Sequence, residues 1–234
     1  MRRSAVLILL VLLAACGGGR PRRPAGVAPM VLPPPPEIID TLPPPPPPIV
    51  ANQSVWTRDA NTLLRGETSG VRIPYIFMRL EVLRADTTDL LVRCVHCPGA
   101  PEGWVTRQSV VHHVRSPEQV RKLDLAEFVL AVRDAASQQD TARLRRAMSR
   151  EFVHTLGPLE MGLLETFAAW EREGFRTVDR LPFILDRGVA TVPGTPIWAA
   201  PPEYTSQRGY QDIRAGFKRG ADGWEWIFLV RDGM

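Results

Sequence analysis

Two unbroken proline runs, Pro33–Pro36 and Pro43–Pro48, constrain this chain more than any other feature. Proline fixes φ and has no backbone N–H, so residues 20–50 can build neither a helix nor a sheet ladder. Such a segment populates polyproline II, rising about 3.1 Å per residue. Thirty residues then span on the order of 90 Å. The segment reads as a semi-rigid spacer, and the other reading is a ligand for a proline-binding groove. A fold must come from the residues C-terminal to the spacer, about 180 of them, enough for one large domain or two small ones with a real core. There is no second apolar stretch of membrane-spanning length and no internal repeat.

Ahead of the spacer stand Met1-Arg2-Arg3-Ser4, an apolar run from Ala5 to Ala15, then Cys16 and Gly17-Gly18-Gly19. A short basic start, an apolar middle and small residues at the end have the profile of an export signal. The run is too short to cross ~30 Å of hydrocarbon as a permanent helix. Leu13-Ala14-Ala15-Cys16 resembles the lipobox of bacterial lipoproteins. The resemblance implies a signal peptide over residues 1–15, cleavage before Cys16, acyl chains (palmitate among them) on that cysteine, and a membrane-tethered mature protein. In that family an Asp after the cysteine favours the inner membrane. Gly17 stands there, so the expected location is the outer membrane, facing the periplasm.

The formal charge of +4 falls to +2 when Arg2 and Arg3 leave with the leader. In the spacer, Arg20, Arg22 and Arg23 oppose Glu37 and Asp40, leaving the folded region close to neutral. No basic stripe with interleaved aromatics appears, which argues against nucleic acid as a partner.

Residues 52–114 show short β-type runs and turns. Ile76–Leu83 and Leu90–Cys94 read as strands around the turn Ala85-Asp86-Thr87-Thr88-Asp89, followed by Gly103–Thr106 and Val110-Val111. Closely spaced short strands suggest a small barrel. Leu80-Glu81-Val82-Leu83, Leu91-Val92-Arg93 and Gly103-Trp104-Val105 resemble the bacterial SH3-like domain, in which a Gly-Trp-Val strand closes the barrel. Members of that family often bind cell-wall peptides or act as extracytoplasmic protein-binding modules. Trp104 is then either a groove residue or simply core. Cys94-Val95-His96-Cys97 has four readings. A disulfide suits an oxidising compartment. The alternatives are free thiols, a zinc half-site needing two further ligands, and a redox pair, which needs a helix start. A c-type haem fails because Pro98, not His, follows the second cysteine.

Residues 116–234 begin with Ser116-Pro117-Glu118-Gln119, a helix-start pattern with a capping residue, an N1 proline and a third-position Gln. Leu125, Phe128, Val129 and Val132 share a helical face. Asp140 is positioned to cap a second helix carrying Leu144, Ala147 and Met148. Phe152–Thr155 reads as a short strand. Gly157-Pro158 opens a third helix that Gly174 stops, and a fourth runs over residues 179–187 to Gly188. Strands follow at Val189–Val192 and Ile197–Ala199. A hairpin joins Ile213–Arg219 to Trp224–Arg231 through Gly220-Ala221-Asp222-Gly223. Strict alternation puts Trp224, Trp226, Phe228 and Val230 on one face of the last strand, with Glu225, Ile227, Leu229 and Arg231 on the other. The expected class is α+β, an SH3-like barrel followed by helices and then a curved antiparallel sheet. Phe128, Asp140, Leu144, Met148 and Phe152 before a Gly-Trp-X-Trp strand are similar to the cone-shaped fold of the nuclear transport factor and polyketide-cyclase type.

That similarity implies an acid–base pair inside a cone, and His154, Asp140, Glu160, Tyr204 and Tyr210 are the only candidates. A base needs a positioned partner and a shifted pKa, and no spacing here supplies either. His154 reads better as a structural histidine and Asp140 as a cap. No phosphate loop, nucleophile elbow or His-Glu-X-X-His helix occurs, so no catalytic residue, metal ligand or cofactor is assigned. The aromatic, proline-rich stretch Trp198–Tyr204 is a candidate ligand groove together with Trp104. The expected protein is a lipid-anchored, non-catalytic binding module for peptidoglycan or another envelope protein. A small cone-fold hydrolase or isomerase and a structural spacer of an envelope complex are the rivals.

Overall fold

The computed structural model describes residues 45–154 and 163–231. The leader, Cys16, Pro33–Pro36, Gly157-Pro158 and Glu160 lie outside the described residues. The fold is α+β, with twelve strands and six α-helices among the described residues.

Seven strands come first: β1 (Ser54–Thr57), β2 (Thr62–Arg65), β3 (Gly70–Ile73), β4 (Ile76–Ala85), β5 (Asp89–Cys94), β6 (Glu102–Thr106) and β7 (Val110–Val111). β5 follows the two-residue period of a half-buried strand. Leu90, Val92 and Cys94 point inward, while Asp89, Leu91 and Arg93 face out. The turn into it closes through the Asp86 N–H donating to the Asp89 carbonyl at 2.9 Å. On β6, Val105 is core and Trp104 lies on the outer face, in neither hydrophobic cluster.

The α-helices are α1 (Leu125–Ser137), α2 (Thr141–Ala147), α3 (Leu163–Arg172), α4 (Arg176–Asp179), α5 (Leu181–Leu185) and α6 (Glu203–Ser206). The expected helix start at Ser116 is corrected. Pro117–Lys122 is a 3-10 segment, Gln119 is non-helical, and the Ser116 side chain makes no cap bond. The α-helix begins after an extended Leu123, where the Asp124 carboxylate accepts the Glu127 N–H. Asp124-Leu125-Ala126-Glu127 has the spacing of a capping box, with Asp as its cap. Asp140 caps α2 as expected, accepting the Arg143 N–H at 3.0 Å. Gly174 follows α3 at φ +65°, the usual left-handed stop. The expected helix over 179–187 is two short ones, and Gly188 belongs to a strand.

The remaining strands are β8 (Met148–Val153), β9 (Arg187–Thr191), β10 (Trp198–Ala200), β11 (Arg214–Gly220) and β12 (Gly223–Val230). The sheet runs β3-β2-β6-β5-β4-β9-β10-β11-β12-β8, with β1 paired to β4 and β7, and it does not close into a barrel. The second sheet was expected to be antiparallel throughout, but β8 pairs with β12 in parallel, making it mixed. β12 also departs from strict alternation. Gly216 faces Phe228 while Phe217 faces Trp226, so Ile227 is an extra residue, a β-bulge. The bulge brings Trp226 and Leu229, three apart, into the same core.

Two hydrophobic clusters result. The smaller is drawn wholly from residues 49–110, with Val55, Leu64, Ile73, Leu80, Val82 and Val105 among its members. The larger packs α1 against the second half of the sheet, around Phe128, Trp170, Phe217 and Trp226, and includes Trp56 and Phe77 from the first strands. At roughly 1.5–3 kcal/mol per fully buried large side chain, both are substantial sources of stability.

Candidate functional site

Polar groups converge where β1 and β4 meet α1 and β9. Asp186, just before β9, accepts the Trp56 indole N–H at 2.8 Å and the Arg133 guanidinium at 2.7 and 3.2 Å. Arg79 stands 3.8 Å away. Arg133 also lies over the Trp56 ring, which stacks on Phe77. Beside this, Glu127, 1% exposed, accepts from Arg115 at 2.6 Å and Arg58 at 3.2 Å, and Arg58 also bonds Asp124. Buried carboxylates held by guanidinium forks fix geometry. These two clusters lock the first strands to α1.

Above them the last part of the proline tract enters the fold. Ile49 is 5% exposed in the smaller core. The Val50 N–H donates to the Gln53 side chain at 3.2 Å. His112 Nε2 lies 2.9 Å from the Pro47 carbonyl. A carbonyl only accepts, so that ring nitrogen carries the hydrogen.

On the other side of the two histidines opens a cleft of about 230 Å3. Val114, Pro117, Val120, Ala131 and Ala147 give it an apolar lining. Its polar residues are His112 and His113, Asp134 from α1, and Arg143 and Arg146 from α2. The two imidazoles meet edge-on, with ring centres 4.5 Å apart. Burial, then the neighbouring His112, pushes the His113 pKa down. Its Nδ1 is buried without a hydrogen-bond partner. Burial pushes the Asp134 carboxyl up, opposed chiefly by Arg133, whose Nη1 is 3.5 Å away. The cleft therefore combines an apolar lining, two guanidiniums and a part-exposed carboxylate, the usual makeup of a small-ligand site. Along the sequence His112-His113 stand only in the connector between the two stretches of pattern. Their adjacency to the capped helices α1 and α2 was the available signal, but it takes tertiary packing to bring the walls together.

The residues singled out from sequence lie elsewhere. Cys94 and Cys97 are bonded, with Cα atoms 5.5 Å apart. Trp104 lies beneath Arg84, whose guanidinium is 4.6 Å from the ring centre. Trp198, on β10, packs partly buried against the larger core. Tyr204 sits in an aromatic nest with Tyr210 at 6.1 Å and Phe228 at 6.3 Å, and Arg214 lies 5.0 Å over its ring. No ring contact joins Trp104 to Trp198 or Tyr204 among the described residues. Tyr210 is pushed up by burial and by Asp212.

His154 is buried, and its Nδ1 accepts the Trp170 indole N–H at 3.1 Å. That ring nitrogen therefore carries no proton, and burial pushes the pKa down. It serves the aromatic core that Trp170 shares with Phe152, Phe167 and Trp226. Among the described residues, no group of His, Cys, Asp or Glu is arranged to hold a metal ion.

The chain matches no protein-family model, no curated protein and no solved structure.

Proposed function

We propose that this chain is a lipid-anchored protein of the cell envelope, held by acyl chains on Cys16 and working as a non-catalytic binding module. Its partner is peptidoglycan or another envelope protein. The observation that carries this reading is the apolar leader ending in Leu13-Ala14-Ala15-Cys16 ahead of a proline spacer. The Cys94–Cys97 bond fits it, because disulfides persist in oxidising compartments. With Gly17 after the cysteine, the proposed location is the outer membrane, facing the periplasm. For the folded region we propose an SH3-like module over residues 52–114 and a cone-related unit over 116–234. In support of the first, Gly103-Trp104-Val105 lies on β6 between β5 and β2, with Trp104 on the outer face.

The test is a labelling experiment in a diderm host fed an alkyne analogue of palmitate. The wild-type chain is expected to take up the label and fractionate with membranes, and Cys16→Ala to lose both properties. Membrane attachment unchanged in Cys16→Ala overturns the anchor. Co-sedimentation of the mature chain with purified peptidoglycan, or its absence together with failure to retain any envelope protein, decides the binding role.

A further inference from the structure

We propose that the cleft beside His112 and His113 binds an amino acid or short peptide by both charges, its carboxylate at Arg146 and Arg143 and its ammonium or N–H at Asp134. The inference rests on the folded region being a binding module, and it narrows the ligand to one chemistry.

The argument comes from the signs of the groups and their placement. The cations stand on α2 and the carboxylate on α1, so one cleft carries both signs on different helices. A simple anion would pair with the arginines but sit against Asp134. A simple cation would meet the reverse problem. A ligand bearing both charges satisfies both walls, and its carbon frame covers the apolar lining. Both positions are part-way available. Arg146 makes no side-chain ion pair among the described residues, and Arg143 shares only Asp140, at 3.2 Å. Asp134 has Arg133 as a long partner at 3.5 Å, which leaves most of its accepting capacity unused. Alanines at 131 and 147 keep the floor low. The resulting volume of about 230 Å3 leaves room for a dipeptide with small side chains.

Burial raises the Asp134 pKa, and an incoming N–H favours its charged form by charge and hydrogen bonding. His112 spends Nε2 on Pro47, so the same ring that borders the cleft also holds the docked end of the tether.

The experiment uses the full mature chain in detergent micelles at pH 8, with 13C-labelled histidine rings read by NMR. Its four histidines carry their own controls: His112 and His113 border the cleft, while His96 and His154 do not. The probes are L-alanyl-L-alanine, its N-acetyl form and its C-terminal amide. The free dipeptide is expected to move the His112 and His113 signals and leave the other two in place. Each capped form is expected to bind about fivefold or more weakly, the loss of one charge-assisted contact. Arg146→Gln is expected to abolish the preference for the free carboxylate while the His154 signal keeps its position, which reports an intact fold. Four unmoved signals, or capped forms that bind as well as the free dipeptide, overturn the proposal. Peptidoglycan sedimentation that persists in Arg146→Gln with the dipeptide inert overturns this site and leaves the binding-module reading standing. Sedimentation lost in step with dipeptide binding supports the site and identifies wall-borne peptide as the source.

Discussion

Asp186 gathers Trp56, Arg133 and Arg79 on a side chain only 7% exposed, so its loss strands the Trp56 N–H and the largely covered Arg133 together rather than removing one contact, while Arg79 stays in reach of water. Asp186→Ala is expected to cost about 3–5 kcal/mol in urea unfolding. Trp56→Phe, which keeps the stack on Phe77 and loses the indole N–H, is expected to cost about 1 kcal/mol plus the unpaired acceptor. A midpoint unmoved by Asp186→Ala would show that the cluster relaxes into solvent. Histidines 96, 113 and 154 are all held below the ordinary imidazole value, with burial the leading cause. The folded state therefore refuses protons that the unfolded chain accepts. Their contribution to stability is present in full above the unfolded pKa of about 6.5 and is lost as pH falls through the lowered folded values. The urea midpoint should be lower at pH 5.5 than at pH 8. His154→Gln, whose amide oxygen can still accept from Trp170, should narrow that gap. Equal midpoints in the wild type would contradict the assignment.

At the scale of elements, local signals and long-range ones parted company. β4 and β5 were readable because their alternation is local and Asp86–Asp89 closes the turn between them. The α2 cap at Asp140 was readable for the same reason. The start of α1 was misread, because Ser116-Pro117 is a stronger written pattern than Asp124, yet only Asp124 makes the bond. Asp124→Ala should cost about 1 kcal/mol through the cap, and more through the lost Arg58 pair, whereas Ser116→Ala should be near neutral. The bulge at Ile227 was invisible, since nothing along β12 announces which residue its neighbour will skip. Its counterpart is Gly216, where an added Cβ would fall 2.1 Å from the Phe228 ring. Gly216→Ala should therefore destabilise by about 1–3 kcal/mol, and Phe228→Leu in the same chain should recover part of that loss. The cleft residues were missed for a related reason: His112, Asp134 and Arg146 are unremarkable one by one and acquire meaning only when α1 and α2 pack.

At the scale of the whole molecule, the order of helix and strand patterns placed the chain in the α+β class. The tether does not end where folding begins, because Ile49 is already core. Ile49→Ala should cost about 2 kcal/mol or more, a penalty that no free spacer residue would carry. The Cys94–Cys97 bond closes a loop of only four residues, so reduction should lower stability by just about 2 kcal/mol, read as a shift in urea midpoint with and without dithiothreitol. A transition that vanishes on reduction would assign the bond a larger role than loop closure supplies. β4 pairs with its near neighbours β1 and β5 from Arg79 onward and, at its start, with the distant β9, joining Ile76 to Val189 and Met78 to Arg187. A ribosome must release more than a hundred further residues before that seam can close. Until then Trp56 and Phe77 have no lid, and a nascent chain halted near residue 115 would present a sticky half-product to chaperones and proteases.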